Sequence, residues 1–156
     1  MKKNTHLYLI KSDPLYQNQL LAKFINSVMK EGKKSVAQTQ VYNALKDIEK
    51  KGQKALDVFT KAIDNVSPRM EVRAKRVGGA AYQVPSEVRG NRKTSLAFRW
   101  IIESARRKSN KDFPTFALKL ASELLDASRG EGEAIKKRST THKMAEANKV
   151  FSHFRW

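Results

Sequence analysis

Apolar residues recur every three to four positions along most of the chain, which is the spacing of one face of an α-helix. Polar residues fill the positions between them. The first such segment begins at Asn18 and is stopped by Gly32, with apolar positions at Leu20, Leu21, Phe24, Ile25, Val28 and Met29. This pattern predicts an amphipathic helix whose apolar face is buried in a hydrophobic core.

Five further segments repeat the helical pattern. The second starts at a predicted capping box of Ser35 and Gln38 and ends at Gly52. The third ends at Ser67-Pro68, because the residue before a proline disfavours helical backbone. The last three segments are a fourth helix with apolar positions from Leu96 to Ala105, a fifth opened by Asp112 and Pro114 and stopped near Gly130, and a sixth over about Glu133 to Asn148.

One stretch does not follow the helical period. Within residues 71–93, Val72, Ala74, Tyr82, Val84 and Val88 lie at the period of two that is typical of strands. Between the two runs, the pair at positions 78 and 79 is Gly-Gly, which a tight hairpin turn favours. The pattern predicts a β-hairpin at about residues 71–90.

The hairpin is expected to be an isolated ribbon. Pro85 cannot donate a ladder hydrogen bond, which a two-stranded ribbon with free outer edges tolerates. The expected fold is mainly α: a compact six-helix domain over residues 17–156, with one protruding basic hairpin between helices three and four. Residues 1–16, which Asp13-Pro14 ends with a turn, are expected to be an N-terminal tail.

Charge narrows the choice of function. The 156 residues include 32 Lys and Arg against 15 Asp and Glu, a net charge of +17 at pH 7. An excess of this size indicates a polyanionic partner, and nucleic acid is the first candidate. No apolar run approaches the roughly 18 to 20 residues of a membrane span, so we expect a soluble protein that is not exported and has no membrane partner.

The sequence lacks the residue clusters and motifs that are typical of an active site. The chain has no cysteine, its three histidines at positions 6, 142 and 153 are far apart, and no glycine-rich phosphate loop occurs. We therefore expect no enzyme, no cofactor and no metal site. Trp100 lies at helical spacing between Leu96 and Ser104 and is expected in the core, whereas for Trp156 packing and base stacking are equally open.

Two basic regions stand out beside the hairpin. Arg106, Arg107 and Lys108 follow one another at the end of the fourth helix, more charge than an interaction with the helix dipole explains, so we interpret them as facing phosphate. The sixth helix has few apolar residues but many cations, and we expect it to lie against a partner. For the cations of the hairpin, the alternative interpretation is an exposed edge hairpin whose charges only keep the protein soluble.

Four separated motifs resemble the bacterial-type small-subunit ribosomal protein seven family. They are Gly32-Lys33-Lys34, the hairpin from Arg76 to Pro85, the helix start from Leu96 to Ile101, and the C-terminal region from Lys136 to Trp156. The resemblance covers nearly the whole chain, from about Asp13 to Trp156.

The resemblance implies a structural constituent of the small ribosomal subunit, in a bacterial cytoplasm or in a plastid or mitochondrion. It implies binding to the 3′ major domain of the ribosomal RNA and nucleation of head assembly. The messenger exit region, the exit-site transfer RNA and the small-subunit proteins numbered nine and eleven would lie nearby.

Candidate residues follow from the resemblance and from the basic regions described above. The expected ribosomal RNA contacts are Lys33, Lys34, Arg73, Lys75, Arg76, Arg92, Lys93, Arg106, Arg107, Lys108, Lys136, Lys137, Arg138, His142 and Lys143. Residues expected near messenger or transfer RNA are Gly78, Gly79, Tyr82, Lys149, Arg155 and Trp156.

Two features depart from the family pattern. The family usually opens with an arginine-rich tail, whereas here Lys2, Lys3 and Lys11 flank the apolar run from Leu7 to Ile10. The stretch from Phe113 to Phe116 looks like extra length between helices four and five, and we expect it to make a contact of its own.

Two other classes of protein stay open on the sequence alone. A DNA-bending protein also combines a basic ribbon with a helical body. A membrane-surface protein would need a helix with a strongly basic face opposite a broad apolar one, and the first helix has the apolar face but few cations.

Overall fold

Six α-helices and one two-stranded hairpin make up most of the structure, a computed structural model that describes residues 11–154. The elements are α1 Gln19–Val28, α2 Lys34–Lys50, α3 Ala55–Val66, β1 Met70–Val77, β2 Ala80–Glu87, α4 Gly90–Arg107, α5 Phe116–Ser128, α6 Glu133–Ala147 and a 3₁₀-helix at Lys149–Phe154. The predicted order of six helices, with the hairpin between the third and fourth, is confirmed. The 3₁₀-helix was not predicted.

The core forms where the apolar faces of the helices meet. α5 packs against α2, α3 and α4, so it is the central helix of the body. Phe24 of α1 makes edge-to-face contacts with Phe59 of α3 and Phe98 of α4, each at a centroid distance of 5.2 Å. Trp100 is 7 % exposed, which confirms its predicted place in the core.

The hairpin has the predicted tight turn. β1 and β2 pair antiparallel from Met70 opposite Glu87 to Val77 opposite Ala80, leaving Gly78 and Gly79 as the two turn residues. Their φ angles of +59° and +87° lie in the left-handed region that glycine adopts at no steric cost. The ribbon packs against α6, chiefly through β1, and the 3₁₀-helix packs against β2.

Several helix ends differ from the prediction. α1 stops at Val28, because Met29 is already extended and Glu31 and Gly32 form a left-handed turn, so Gly32 is not the stop itself. The predicted capping box at Ser35 is wrong: α2 begins at Lys34, so Ser35 is inside the helix and its carbonyl accepts from the Thr39 hydroxyl.

The predicted opening of α5 at Asp112 and Pro114 is also wrong. The helix starts at Phe116, and its N-cap is Thr115, whose hydroxyl accepts from the Leu118 N–H at 3.3 Å. This cap satisfies one of the free amides of the first turn.

The N-terminal region is described only from residue 11. Asp13 is 2 % exposed, and its carboxylate accepts hydrogen bonds from the backbone N–H of Tyr16 and from the hydroxyl of Tyr42 in α2. Asp13 therefore ties this part of the chain to the helical body. The predicted tail boundary at residue 16 stays a prediction, and Lys2, Lys3 and the run from Leu7 to Ile10 lie outside the described residues.

Candidate nucleic-acid interface

The base of the ribbon is held by one buried carboxylate. Glu71 of β1 is 7 % exposed, and Arg92 in the first turn of α4 donates to it from Nε and Nη2, both at 2.7 Å. Arg73, on the same strand, donates from Nε to the same carboxylate at 2.6 Å. The hydrogen bond from Arg92 lowers the pKa of Glu71, burial opposes it, and Arg73 lowers the pKa further. Glu71 therefore stays ionised and fixes the ribbon to α4.

The outer part of the ribbon is supported by the 3₁₀-helix. Tyr82 of β2 packs against Phe151 and Phe154, with ring centroids 5.3 and 5.1 Å away. Lys75, which pairs with Tyr82 across the ribbon, donates from Nζ to the backbone carbonyl of Phe154 at 3.2 Å. Tyr82 is thus engaged in packing. Arg76 and the turn glycines beyond it are exposed.

His142 joins the base of the ribbon to α6. Its Nε2 accepts the backbone N–H of Arg69 at 2.9 Å, an arrangement that requires that ring nitrogen to be unprotonated. Burial lowers the pKa of His142, and the charges of Arg138 and Arg69 lower it further. His142 therefore acts in the structure as a neutral hydrogen-bond acceptor between two elements.

A cavity of about 450 Å³ opens beside this junction. Its lining includes the apolar side chains of Met70 and Pro85 and, at α6 and the 3₁₀-helix, Ala145 and Lys149. It lies between the ribbon and the C-terminal elements.

The cations of α6 divide into exposed and engaged side chains. Lys136 forms an exposed ion pair with Glu133 at 2.7 Å. Lys137 is half-buried and pairs with Glu103 of α4. The hydrogen bond from Lys137 lowers the pKa of Glu103, and burial opposes this shift. Arg138 donates to the backbone carbonyl of Asn65 in α3. Lys143 is exposed, as is Lys149 at the start of the 3₁₀-helix.

The three cations at the end of α4 have different surroundings. Lys108 is 2.8 Å from Asp126 and 3.2 Å from Glu123, and its side chain is only 18 % exposed. Burial opposes its charge, but these two carboxylates outweigh burial and raise the pKa of the ammonium. Arg106 donates to the Val28 carbonyl at 3.3 Å, and Arg107 is exposed.

Two other candidate regions are open to solvent. Lys33 forms an exposed ion pair with Glu31 at 2.8 Å, and Lys34 is the exposed first residue of α2. Lys93 is partly exposed in the first turn of α4. Phe113, in the predicted insertion, lies under the Lys108 ammonium, which is 5.5 Å from its ring centroid. Arg155 and Trp156 lie outside the described residues.

The structure brings the ribbon, the start of α4, α6 and the 3₁₀-helix together. Lys33 and Lys34 lie at the start of α2, where Lys33 lines a separate cavity with Arg106. Sequence reasoning missed the carboxylates that engage the cations, namely Glu71, Glu103 and Glu123. A signal was available for Glu123, because an acidic residue within the apolar run of α5 is buried, and a buried charge is usually paired. For Glu71, the available signal was its spacing from Arg73, because residues two apart on a strand lie on the same face and opposite charges there can pair.

Among residues 11–154, no group of three or more acidic or histidine side chains is placed to hold a metal ion. No helix in this range is both long and apolar enough to span a membrane. The described residues form a helical body with a firmly attached basic ribbon and many exposed cations. These features are typical of a protein that binds the backbone of a folded nucleic acid.

Comparison with known proteins agrees with this class. Residues 2–149 match the family model described as ribosomal protein S7p/S5e. The chain is 57 % identical over 144 residues to the small ribosomal subunit protein uS7 of Thioalkalivibrio sulfidiphilus, covering 92 % of this chain and 91 % of that protein. It is 53 % identical over 146 residues to uS7 of Alkalilimnicola ehrlichii, covering 93 % and 92 %.

The chain belongs to the ribosomal protein S7p/S5e family. This is a family of structural, non-enzymatic proteins of the small ribosomal subunit, and its members bind ribosomal RNA and take part in translation. The predicted family and the prediction that the protein is not an enzyme are confirmed.

Proposed function

We propose that this protein binds the 3′ major domain of small-subunit ribosomal RNA in a bacterial ribosome and nucleates assembly of the subunit head. The observation that carries the proposal is the basic ribbon, which the Glu71–Arg92 ion pair holds against a rigid helical body. A ribbon fixed in this way presents its cations in one orientation, so it suits a folded RNA of one particular shape. The curated relatives with similar sequences come from bacteria, which supports a bacterial cytoplasmic ribosome.

Exposure and contacts within the chain together divide the candidate residues into two roles. We assign phosphate contacts to ten exposed or half-exposed cations, which are Lys33, Lys34, Arg73, Arg76, Arg92, Lys93, Arg107, Lys136, Lys143 and Lys149. Five others are at least partly buried and have partners within the chain, namely Lys75, Lys108, Lys137, Arg138 and His142. Arg106 is exposed but donates to the Val28 carbonyl. These six are assigned to positioning of the elements that carry the contacts.

The RNA assignment is tested by binding the protein to a transcript of the 3′ major domain. The comparison transcripts are an equally long piece of another domain of the same RNA and an equally long DNA duplex, each titrated over salt. We expect the 3′ major domain to bind most tightly at physiological salt. Equal binding to all three would overturn the assignment, and preference for the duplex would favour a DNA-bending protein.

Arg76 offers a direct test of phosphate contact by the ribbon. Arg76→Ala is expected to reduce the magnitude of the negative slope of log K against log salt by about one unit, the effect of one lost phosphate contact. Lys50→Ala is the matched control, because Lys50 is an exposed cation of α2 outside the candidate set. If both variants keep the wild-type slope, Arg76 is not a phosphate contact.

We further propose that the turn of the ribbon faces the messenger exit region and the exit-site transfer RNA, and that proteins nine and eleven are neighbours. The exposed glycine turn at the tip of the ribbon supports this placement. Because the chain has no cysteine, Ala80→Cys provides a unique attachment point for a photo-crosslinker beside the turn. In reconstituted subunits we expect crosslinks to messenger or transfer RNA, and crosslinks to ribosomal RNA alone would overturn the placement.

A further inference from the structure

Two arginines from different elements share one carboxylate at the base of the ribbon. Arg73 of β1 and Arg92 of α4 both donate from Nε to Oε1 of Glu71, at 2.6 and 2.7 Å. Since both donors bind the same oxygen atom, the two guanidinium groups lie side by side. They are brought together by the fold, because 18 residues separate them in the sequence.

Both guanidinium groups have one edge on the carboxylate and another toward solvent. The side chain of Glu71 is 9 % exposed, whereas those of Arg73 and Arg92 are 54 % and 52 % exposed. An arginine has five N–H donors, and Glu71 takes one from Arg73 and two from Arg92. The other donors of both arginines remain for a ligand on the solvent side.

The charges of this cluster do not balance within the protein. Two guanidinium groups carry two positive charges, and the single carboxylate neutralises one of them. The remainder is one positive charge, which equals the single negative charge of an RNA phosphodiester. Paired planar donors are also the geometry that binds phosphate oxygens most strongly.

We propose that Arg73 and Arg92 together bind a single backbone phosphate of the RNA, and that Glu71 is the positioning residue that assembles this site. The inference rests on the proposed function, because it takes the ligand to be RNA. One arginine comes from the ribbon and the other from the helical body, so the site is complete only when the ribbon is seated against α4. A phosphate bound here therefore stabilises that orientation of the ribbon.

Glu71→Gln separates positioning from simple charge. The substitution removes a negative charge from a protein that binds a polyanion, so charge alone predicts tighter RNA binding. Positioning predicts weaker binding, by roughly tenfold for one lost charge-assisted contact. Glu87→Gln is the matched control, since it removes the same charge from an exposed pair with Arg89 on the same hairpin. Equal or tighter binding of both variants would overturn the proposal.

A shared phosphate also has a characteristic salt dependence. The double variant Arg73→Gln with Arg92→Gln is expected to reduce the magnitude of the negative slope of log K against log salt by about one unit, because one phosphate contact is lost. Two independent phosphates would lower it by about two units, and no phosphate would leave it unchanged. Either of these results would overturn the proposal.

A measurement on the wild-type chain covers the case in which a variant does not fold. The side-chain Nε–H signals of Arg73 and Arg92 are followed by NMR while the 3′ major domain transcript is added. Both signals are expected to move together over the same range of RNA concentration, and two unmoved signals would contradict the site. Failure of this site can be distinguished from failure of the proposed function. If the proposed function is wrong, the wild-type chain shows no preference for the 3′ major domain transcript over the comparison transcripts.

Discussion

Lys108→Met removes the cation beside a carboxylate that has no access to water. Glu123 is 0 % exposed, and its Oε1 accepts the Ala134 N–H at the start of α6 at 3.0 Å, while its Oε2 lies 3.2 Å from the Lys108 ammonium. Lys108 also donates to Asp126 at 2.8 Å and to the Ser122 hydroxyl at 3.0 Å. The substitution leaves two carboxylates close together without their shared cation.

The size of the effect follows from burial. Breaking a buried ion pair by removing one partner costs about 3–5 kcal/mol. We expect the lower end, about 3 kcal/mol, because Asp126 is partly exposed and the positive N-terminus of α6 still compensates Glu123. For a chain of this length that corresponds to a fall in Tm of about 9 °C.

Thermal unfolding followed by circular dichroism, with urea unfolding as a second measurement, gives the difference directly. The matched control is Lys136→Met, which removes a cation from an exposed pair with Glu133 in the first turn of α6 and is expected to leave the Tm nearly unchanged. Adding Glu123→Gln to Lys108→Met should recover part of the loss, because the uncompensated charge is then gone. A Lys108→Met variant no less stable than Lys136→Met would refute this reasoning.

Three more substitutions test other parts of the structure. Trp100→Ala should lower the free energy of unfolding by about 3–5 kcal/mol in urea, and a native-like value would show that this ring is not in the core. Tyr42→Phe leaves the buried Asp13 without its hydroxyl donor and should cost about 2 kcal/mol, whereas an unchanged Tm would show that this bond contributes nothing. Because the pKa of His142 is lowered on folding, its contribution is complete above about pH 6.5 and is lost as the pH falls through the folded-state pKa. Thermal scans between about pH 7 and pH 5 should show this loss, His142→Gln should reduce it, and identical profiles would mean that the bond from Arg69 does not depend on the imidazole.

The architecture was predictable because local signals agreed with the global fold. Apolar stripes marked the first five helices, the sixth was predicted from sparser apolar positions, and the alternation around Gly-Gly marked the hairpin and its turn. The N-terminal ends of α2 and α5 were harder to predict, because Ser35 and Asp112 are residue types that favour helix N-caps but do not lie at the positions where these helices begin. Capping depends on where packing lets a helix begin, and α5 begins only at Phe116, one residue after the Thr115 cap.

The candidate interface was predictable in composition but not in detail. Net charge and the basic runs identified the cations, yet Arg106, Arg107 and Lys108 are adjacent in sequence and differ in role. Arg107 is exposed, whereas the helical turn directs Arg106 to the Val28 carbonyl and Lys108 to Asp126. Such differences depend on contacts with residues far away in the chain, which composition does not contain.

The support of the ribbon by the 3₁₀-helix has a consequence for the order of synthesis. Lys75 and Phe154, which the hydrogen bond joins, are 79 residues apart, so translation delivers the ribbon long before its support. At the upper rate of bacterial elongation, the interval is at least a few seconds, long compared with the microseconds in which a hairpin forms. During that time the nascent ribbon has no aromatic partners for Tyr82, and it reaches its final orientation only when residues 149–154 have left the ribosome that is making them.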